Sequence, residues 1–150
     1  MSARVLIADD HTLVRRGMRA ILEMHPEWEV CGEASNGPEA VGKAKELVPD
    51  VIIMDISMPG PSGLDATREI REALPQTGVL IVSMHDSREL ILAAREAGAR
   101  GYLSKSETDG RLIEALSTVC RGEPYFPQLA REGEGDGRNP PWDTLSKNAS

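Results

Sequence analysis

Residues 51–60 read Val51-Ile52-Ile53-Met54-Asp55-Ile56-Ser57-Met58-Pro59-Gly60. Four apolar residues run straight into one carboxylate, after which Ser, Pro and Gly interrupt regular structure. A short unbroken apolar run bounded by turn residues predicts a strand buried on both faces. Asp55 then stands at the carboxyl end of a central strand, where the chain stops being buried and becomes reachable. In open parallel α/β sheets, ligands bind at that end.

Similar runs lie on either side. Residues 4–8 are apolar from Val5 and end at Asp9-Asp10. Residues 28–35 alternate Trp28, Val30, Gly32 and Ala34 against Glu29, Cys31, Glu33 and Ser35, which predicts an edge strand with one polar face. Residues 79–82 end at Ser83, and 101–103 end at Ser104-Lys105. The segments between them carry helical spacing. In 12–24 the apolar stripe is Leu13, Val14, Gly17, Met18, Ile21 and Leu22, closed by His25-Pro26. A second helix starts at Asn36-Gly37-Pro38 and ends at Pro49-Asp50, a third covers 64–74, and a fourth covers 87–97 with Gly98 as its C-cap. The fifth, 108–120, ends at Gly122. Five strand–helix repeats, spaced by roughly 25 residues, predict a parallel sheet with helices on both faces. Right-handed crossovers favour a doubly wound five-stranded sheet of order 2-1-3-4-5.

Composition narrows the function. The chain has 150 residues, enough for one domain with a proper core, and aromatics are only 3% of it, so that core is aliphatic. A net charge of −7 argues against direct nucleic-acid binding, which needs a basic face. It suits a protein that meets other proteins or binds a cation. Signal-peptide features and apolar runs long enough for a membrane helix are missing, so the expected location is cytoplasmic, without membrane contact. Cys31 and Cys120 lack metal-ligand spacing and read as free thiols. Residues 1–122 are the expected folded domain. Residues 123–150, rich in Gly, Pro and charge, read as a linker or disordered tail with no effector domain. Within them Tyr125, Phe126 and Leu129 are candidates to pack back on the domain, whereas Trp142 and Leu145 have no obvious partner.

The strand ends carry the chemistry. In a parallel sheet Asp9, Asp10, Asp55, Ser83 and Lys105 all reach the same edge. Carboxylates so gathered repel one another unless a cation neutralises them. An oxygen-rich site of this kind suits Mg²⁺, with Asp10 and Asp55 as direct ligands, the Ser57 backbone carbonyl as a third, and Asp9 acting directly or through water. A carboxylate is also a nucleophile that forms an aspartyl-phosphate, with a lysine to take phosphoryl charge. Asp55 and Lys105 fit those two roles, and Ser83 is placed to donate to a phosphoryl oxygen. The competing reading makes Asp9 and Asp10 caps of the first helix. His11 and His85 read as solvated loop residues, and Arg15, Arg16 and Arg19 as a solvated helix face.

At these residues the sequence resembles a response-regulator receiver domain of two-component signalling. The resemblance covers about residues 3–121. It rests on Asp9-Asp10, on Asp55 followed by Met58-Pro59-Gly60, on Ser83, and on Tyr102-Leu103-Ser104-Lys105. The runs around Asp55 and Lys105 look most like the NarL/FixJ (LuxR-type) subfamily, without its C-terminal helix-turn-helix. The resemblance implies a flavodoxin-like receiver fold and a Mg²⁺-dependent phosphoacceptor at Asp55, supplied by a sensor histidine kinase. It implies a switch pair in Ser83 and Tyr102, and modulation of phosphate lifetime by Ser57 and His85. It also implies a homodimer on phosphorylation, with transcription as the usual output. Ser106 stands where many receivers have Pro after the lysine. Two other classes compete. A Mg²⁺-dependent phosphatase or phosphotransferase with an aspartyl nucleophile would need a second acid and a cap, but Ile56 and Ser57 follow Asp55. A flavodoxin-like nucleotide binder would need a Gly-rich loop where Asp9-Asp10-His11-Thr12 stands.

Overall fold

Each apolar run becomes a strand in the computed structural model, which describes residues 2–58, 63–85 and 87–127. The order is β1 (Ala3–Ala8), α1 (Thr12–Glu23), β2 (Trp28–Ala34), α2 (Gly37–Leu47), β3 (Val51–Asp55), α3 (Gly63–Ala73), β4 (Gly78–Ser83), α4 (Arg88–Glu96), β5 (Gly101–Ser104) and α5 (Thr108–Cys120), with a 3₁₀ turn over Lys105–Glu107. The strands form one parallel sheet in the order β2-β1-β3-β4-β5. Loop residues 59–62 and the tail beyond 127, including Leu129, Trp142 and Leu145, lie outside the described residues.

Alternation along the strands divides the core in two. Leu6, Ala8, Ile52, Met54, Val79, Ile81 and Tyr102 face α2, α3 and α4. Val5, Ile7, Val51, Ile53, Leu80, Val82 and Leu103 face α1 and α5. Every residue of β3 and β4 is buried, and both strands are apolar until the polar residue that ends each, Asp55 and Ser83.

β2 is the edge strand expected, but its faces are not those of simple alternation. Val5 pairs with Val30 and Leu6 with Gly32, so Cys31 is an extra residue in the ladder. Such a bulge resets which side the chain presents. Trp28 and Val30 therefore pack on the α1/α5 side, while Cys31 and Ala34 pack on the α2 side. A Cβ on Gly32 would stand 2.8 Å from Leu47 Cδ1, so the bulge also lets α2 lie close to the strand.

The helix ends have specific causes. Asn36 caps α2 by accepting from the Glu39 amide, and Ser87 caps α4 by accepting from the Leu90 amide. Gly98 (φ +104°) ends α4 in a Schellman turn, its amide donating to the Arg95 carbonyl and that of Ala99 to the Ala94 carbonyl. The end of α2 differs from expectation: Val48, not Pro49, turns the chain, with left-handed φ 47° and ψ 65°. Pro49 disfavours the right-handed helical region for the residue before it, which leaves Val48 in this uncommon conformation. On α1, Met18 and Leu22 are buried, but Leu13 of the expected stripe is 80% exposed.

Candidate functional site

Sheet register brings the polar strand ends together. Ala8 pairs with Met54, Asp55 with Val82, and Ser83 with Ser104. Asp9, Asp55, Ser83 and Lys105 thus leave four adjacent strands at one level. The local cause is the same each time: apolar pairing ends, and the next side chain is polar.

Lys105 is the centre of the charge arrangement. Its Nζ lies 2.9 Å from Asp9 Oδ2 and 3.5 Å from Asp55 Oδ2, with all three side chains almost wholly buried. Asp9 Oδ1 accepts from the His11 amide at 2.8 Å. Asp55 Oδ1 faces the Ser57 amide at 3.2 Å and the Ser57 hydroxyl at 3.3 Å. Burial pushes the Asp55 carboxyl above its ordinary value, and the neighbouring Asp9 charge pushes the same way; the Ser57 amide and Lys105 oppose them.

Neither acid of the Asp9-Asp10 pair caps α1. The N-cap residue is His11, and its side chain makes no capping bond. Asp9 is instead folded into an Asx turn on His11, with its carbonyl held by Arg15. That removes the capping alternative and leaves the carboxylates facing Asp55.

Ligand atoms of Asp9, Asp10, His11 and Asp55 lie within 4.8 Å of one another, a group able to hold a metal ion. Asp9 Oδ2, Asp10 Oδ1 and Asp55 Oδ2 are buried, and among the described residues no hydrogen-bond donor satisfies them beyond the Lys105 ammonium beside Asp9 and Asp55 and the His11 ring beside Asp10. One ammonium cannot neutralise three carboxylates. These carboxylate oxygens are hard donors, so they fit a small divalent cation such as Mg²⁺ better than a soft metal. Asp10, 29% exposed, forms the open side of the cluster.

Two expectations need correction. Asp55 is more enclosed than the sequence suggested, at 1% exposure. Of the residues that follow, Ile56 and Met58 are buried on the α2/α3/α4 side and Ser57 between them is exposed. His11 is more than a solvated loop residue. Its ring is 59% exposed, but Nδ1 stands 3.2 Å from Asp9 Oδ1 and 3.3 Å from Asp10 Oδ1. His85 keeps an exposed side chain while its backbone is engaged: its amide donates to Ser83 Oγ at 3.0 Å, and its carbonyl accepts from the Tyr102 hydroxyl at 2.6 Å. Ser83 is fully buried, and the Tyr102 ring is turned inward at 1% exposure.

Two features had little signal in the sequence. Arg15 and Arg19 are not a solvated face, since both hold Glu33 on β2, and only Arg16 of that group is exposed. Burial would raise the Glu33 carboxyl, but its bonds to the two arginines prevail and hold it below its ordinary value. Gly63 opens α3 directly against the end of β3, where a Cβ would stand 2.4 Å from the Asp55 carbonyl oxygen.

The comparisons with known proteins agree with this geometry. The response regulator receiver domain family matches residues 5–117. The chain is 45% identical over 123 residues to the oxygen regulatory protein NreC of Staphylococcus haemolyticus, covering 81% of this chain and 57% of the relative. The same protein of Staphylococcus carnosus is 45% identical over 124 residues, again over 57% of its length. The chain therefore spans little more than half of these curated relatives. Among solved structures, a LuxR-family two-component response regulator from Aurantimonas sp. SI85-9A1 superimposes with TM-score 0.82 at 38% identity, covering 88% of this chain and 95% of that one. The signal receiver domain of the NarL regulator from Mycobacterium tuberculosis gives TM-score 0.78 at 34% identity, over 81% and 98%. No helix among the described residues is long and apolar enough to cross a membrane. Proteins of this kind are signalling components, not classical enzymes. The chain belongs to the response regulator receiver domains, in the NarL (LuxR-type) group.

Proposed function

We propose that Asp55 is the phosphoacceptor of a two-component phosphorelay, that a sensor histidine kinase supplies the phosphoryl group, and that the reaction requires Mg²⁺. The observation that carries this reading is the placement of Lys105 Nζ against both Asp9 and Asp55, in a buried cluster with one ammonium for three carboxylates. Asp10, Asp55, the Ser57 carbonyl and Asp9, directly or through water, would hold the ion. When bound, it supplies positive charge for the phosphoryl oxygens.

The chain's own residues do the rest. Ser57 occupies Asp55 Oδ1 from two donors, which leaves Oδ2 as the attacking oxygen. A new O–P bond forms at Oδ2 as the donor's P–N bond breaks, and the departing imidazole takes a proton from solvent. Lys105, now paired with Asp9, moves its charge onto a phosphoryl oxygen. Ser83, an acceptor in the resting bond from His85, turns its own proton toward another. Ser57 and His85 flank this position and tune how long the acyl phosphate lasts. Tyr102 reports the change through α4, β5 and α5.

The output in this reading is a homodimer formed on phosphorylation, using either the α4-β5-α5 face or α1 with α5, with transcription as the regulated process. Residues 1–122 act as the receiver and 123–150 as a linker or tail, without direct nucleic-acid binding, in the cytoplasm. The runner-up, a Mg²⁺-dependent phosphatase or phosphotransferase with an aspartyl nucleophile, needs a second acid beside it, and Ile56 and Ser57 follow Asp55 instead. The test is incubation with Mg²⁺ and acetyl phosphate. One hydroxylamine-labile phosphoryl group per chain is expected, and it should be absent in Asp55→Asn. Repeated turnover of small phosphoesters with no such adduct would support the enzyme instead.

A further inference from the structure

The described residues after α5, 121–127, do not trail away from the domain. Gly122 (φ +86°) closes α5 in a Schellman turn, with its amide on the Val119 carbonyl and that of Glu123 on the Thr118 carbonyl. The chain then runs along the outer edge of β5 in parallel. The Tyr125 amide donates to the Arg100 carbonyl at 2.9 Å, and the Tyr102 amide donates to the Tyr125 carbonyl at 2.8 Å. The segment straddles the sheet: Tyr125 packs on the α1/α5 core, and Phe126 packs on the α2/α3/α4 core. The guanidinium of Arg95, on α4, lies over the Phe126 ring at 5.1 Å. Gly101 permits this approach, since a Cβ there would stand 3.1 Å from the Tyr125 carbonyl oxygen.

One chain of hydrogen bonds therefore runs from the site to this strap. The His85 amide donates to Ser83 Oγ, the Tyr102 hydroxyl to the His85 carbonyl, and the Tyr102 amide to the Tyr125 carbonyl. We infer that the Tyr125–Phe126 strap is the output end of the switch: the phosphorylated state tightens its docking on β5 and so fixes where the chain beyond residue 127 leaves the receiver. This rests on the reading of Ser83 and Tyr102 as the switch pair. The strap is coupled to that pair twice, through the Tyr102 backbone and through α4 by way of Arg95. It contributes only a few hydrogen bonds and two half-buried rings, so it belongs to the low-stability end of the molecule, where small biases change populations most.

The test is amide hydrogen exchange, read by NMR on the whole 150-residue chain, with and without Mg²⁺ and beryllofluoride as the phosphoryl mimic. Exchange at the Tyr125 amide is expected to slow about fivefold or more, within the usual range of allosteric coupling, together with a response at the His85 amide. Tyr102→Phe keeps the ring and the fold but loses the hydroxyl; in it the His85 response should persist and the Tyr125 slowing should shrink. Phe126→Ala should speed exchange at Tyr125 and, by reciprocity, weaken beryllofluoride binding by up to the fold-change that beryllofluoride imposes on Tyr125 exchange in the parent. A His85 response with an unchanged Tyr125 rate would overturn the strap while leaving the switch reading intact. No response at either amide would remove the switch reading and the strap with it.

Discussion

Asp55 is the side chain of the polar edge whose surroundings disfavour its charge. It is ionisable, buried, and next to a second buried carboxylate. Its folded-state pKa is raised, so the native chain binds a proton more readily than the unfolded chain. Stability contributed by this group is then full below the ordinary carboxylate value of 3.8 and is lost as pH rises through the raised value. Asp55→Asn keeps an acceptor for the Ser57 amide and carries no charge. In buffer with a chelator it is expected to melt higher than the parent at pH 7, by on the order of a few degrees. The gap should close below pH 3.8. A gap of equal size at both pH values would show that charge is not its cause. These residue-scale facts were only partly legible. The acids, the lysine and the serine were visible as strand-end residues. The burial of Asp55 was not, because it arises where Asp9 and Lys105 converge on it from other strands. The engagement of His11 depends on an Asx turn that a single histidine does not signal.

The elements hold that arrangement through their ends. Gly63 is the first residue of α3 and meets the backbone at the end of β3, with no flexible side chain to yield. Gly63→Ala must move α3 away from Asp55. It is expected to cost about 1–3 kcal/mol, as overpacking does, and to slow phosphorylation. Urea midpoints and acetyl phosphate kinetics read the two effects; a variant with the parent's stability and rate would show that α3 can shift freely. Val48 offers the opposite case. A β-branched residue in the left-handed region costs roughly 1–2 kcal/mol, so Val48→Gly should gain about 1 kcal/mol after the flexibility of glycine is set against it. Denaturant melts check the sign. Helix stripes and caps were readable in the sequence, since Asn36, Ser87, Gly98 and Gly122 act through local chemistry. The bulge at Cys31 was hidden, because apolar and polar residues still alternate across it and only pairing with β1 reveals the extra residue.

For the molecule as a whole, the strand order followed from chain order and crossover handedness, and the structure shows the same 2-1-3-4-5 sheet. That order is what places four strand ends in one cluster. Arg15 and Arg19, bonded to Glu33, tie α1 to the far edge strand, a long-range contact that the spacing within α1 could not announce. Because the cluster is assembled only on folding, an ion held there stabilises the native state alone. Mg²⁺ is expected to raise the melting temperature, chelation to reverse the gain, and Asp10→Ala to abolish it; calorimetry measures each. An equal response in the parent and in Asp10→Ala would place the ion elsewhere. The central claim concerns which carboxylate is the nucleophile, and borohydride reduction of the phosphorylated chain decides it, because an aspartyl phosphate is converted to homoserine at the modified position. Peptide mapping by mass spectrometry should find homoserine at position 55 and Asp retained at 9 and 10; homoserine at 9 or 10 with Asp55 intact would contradict the account.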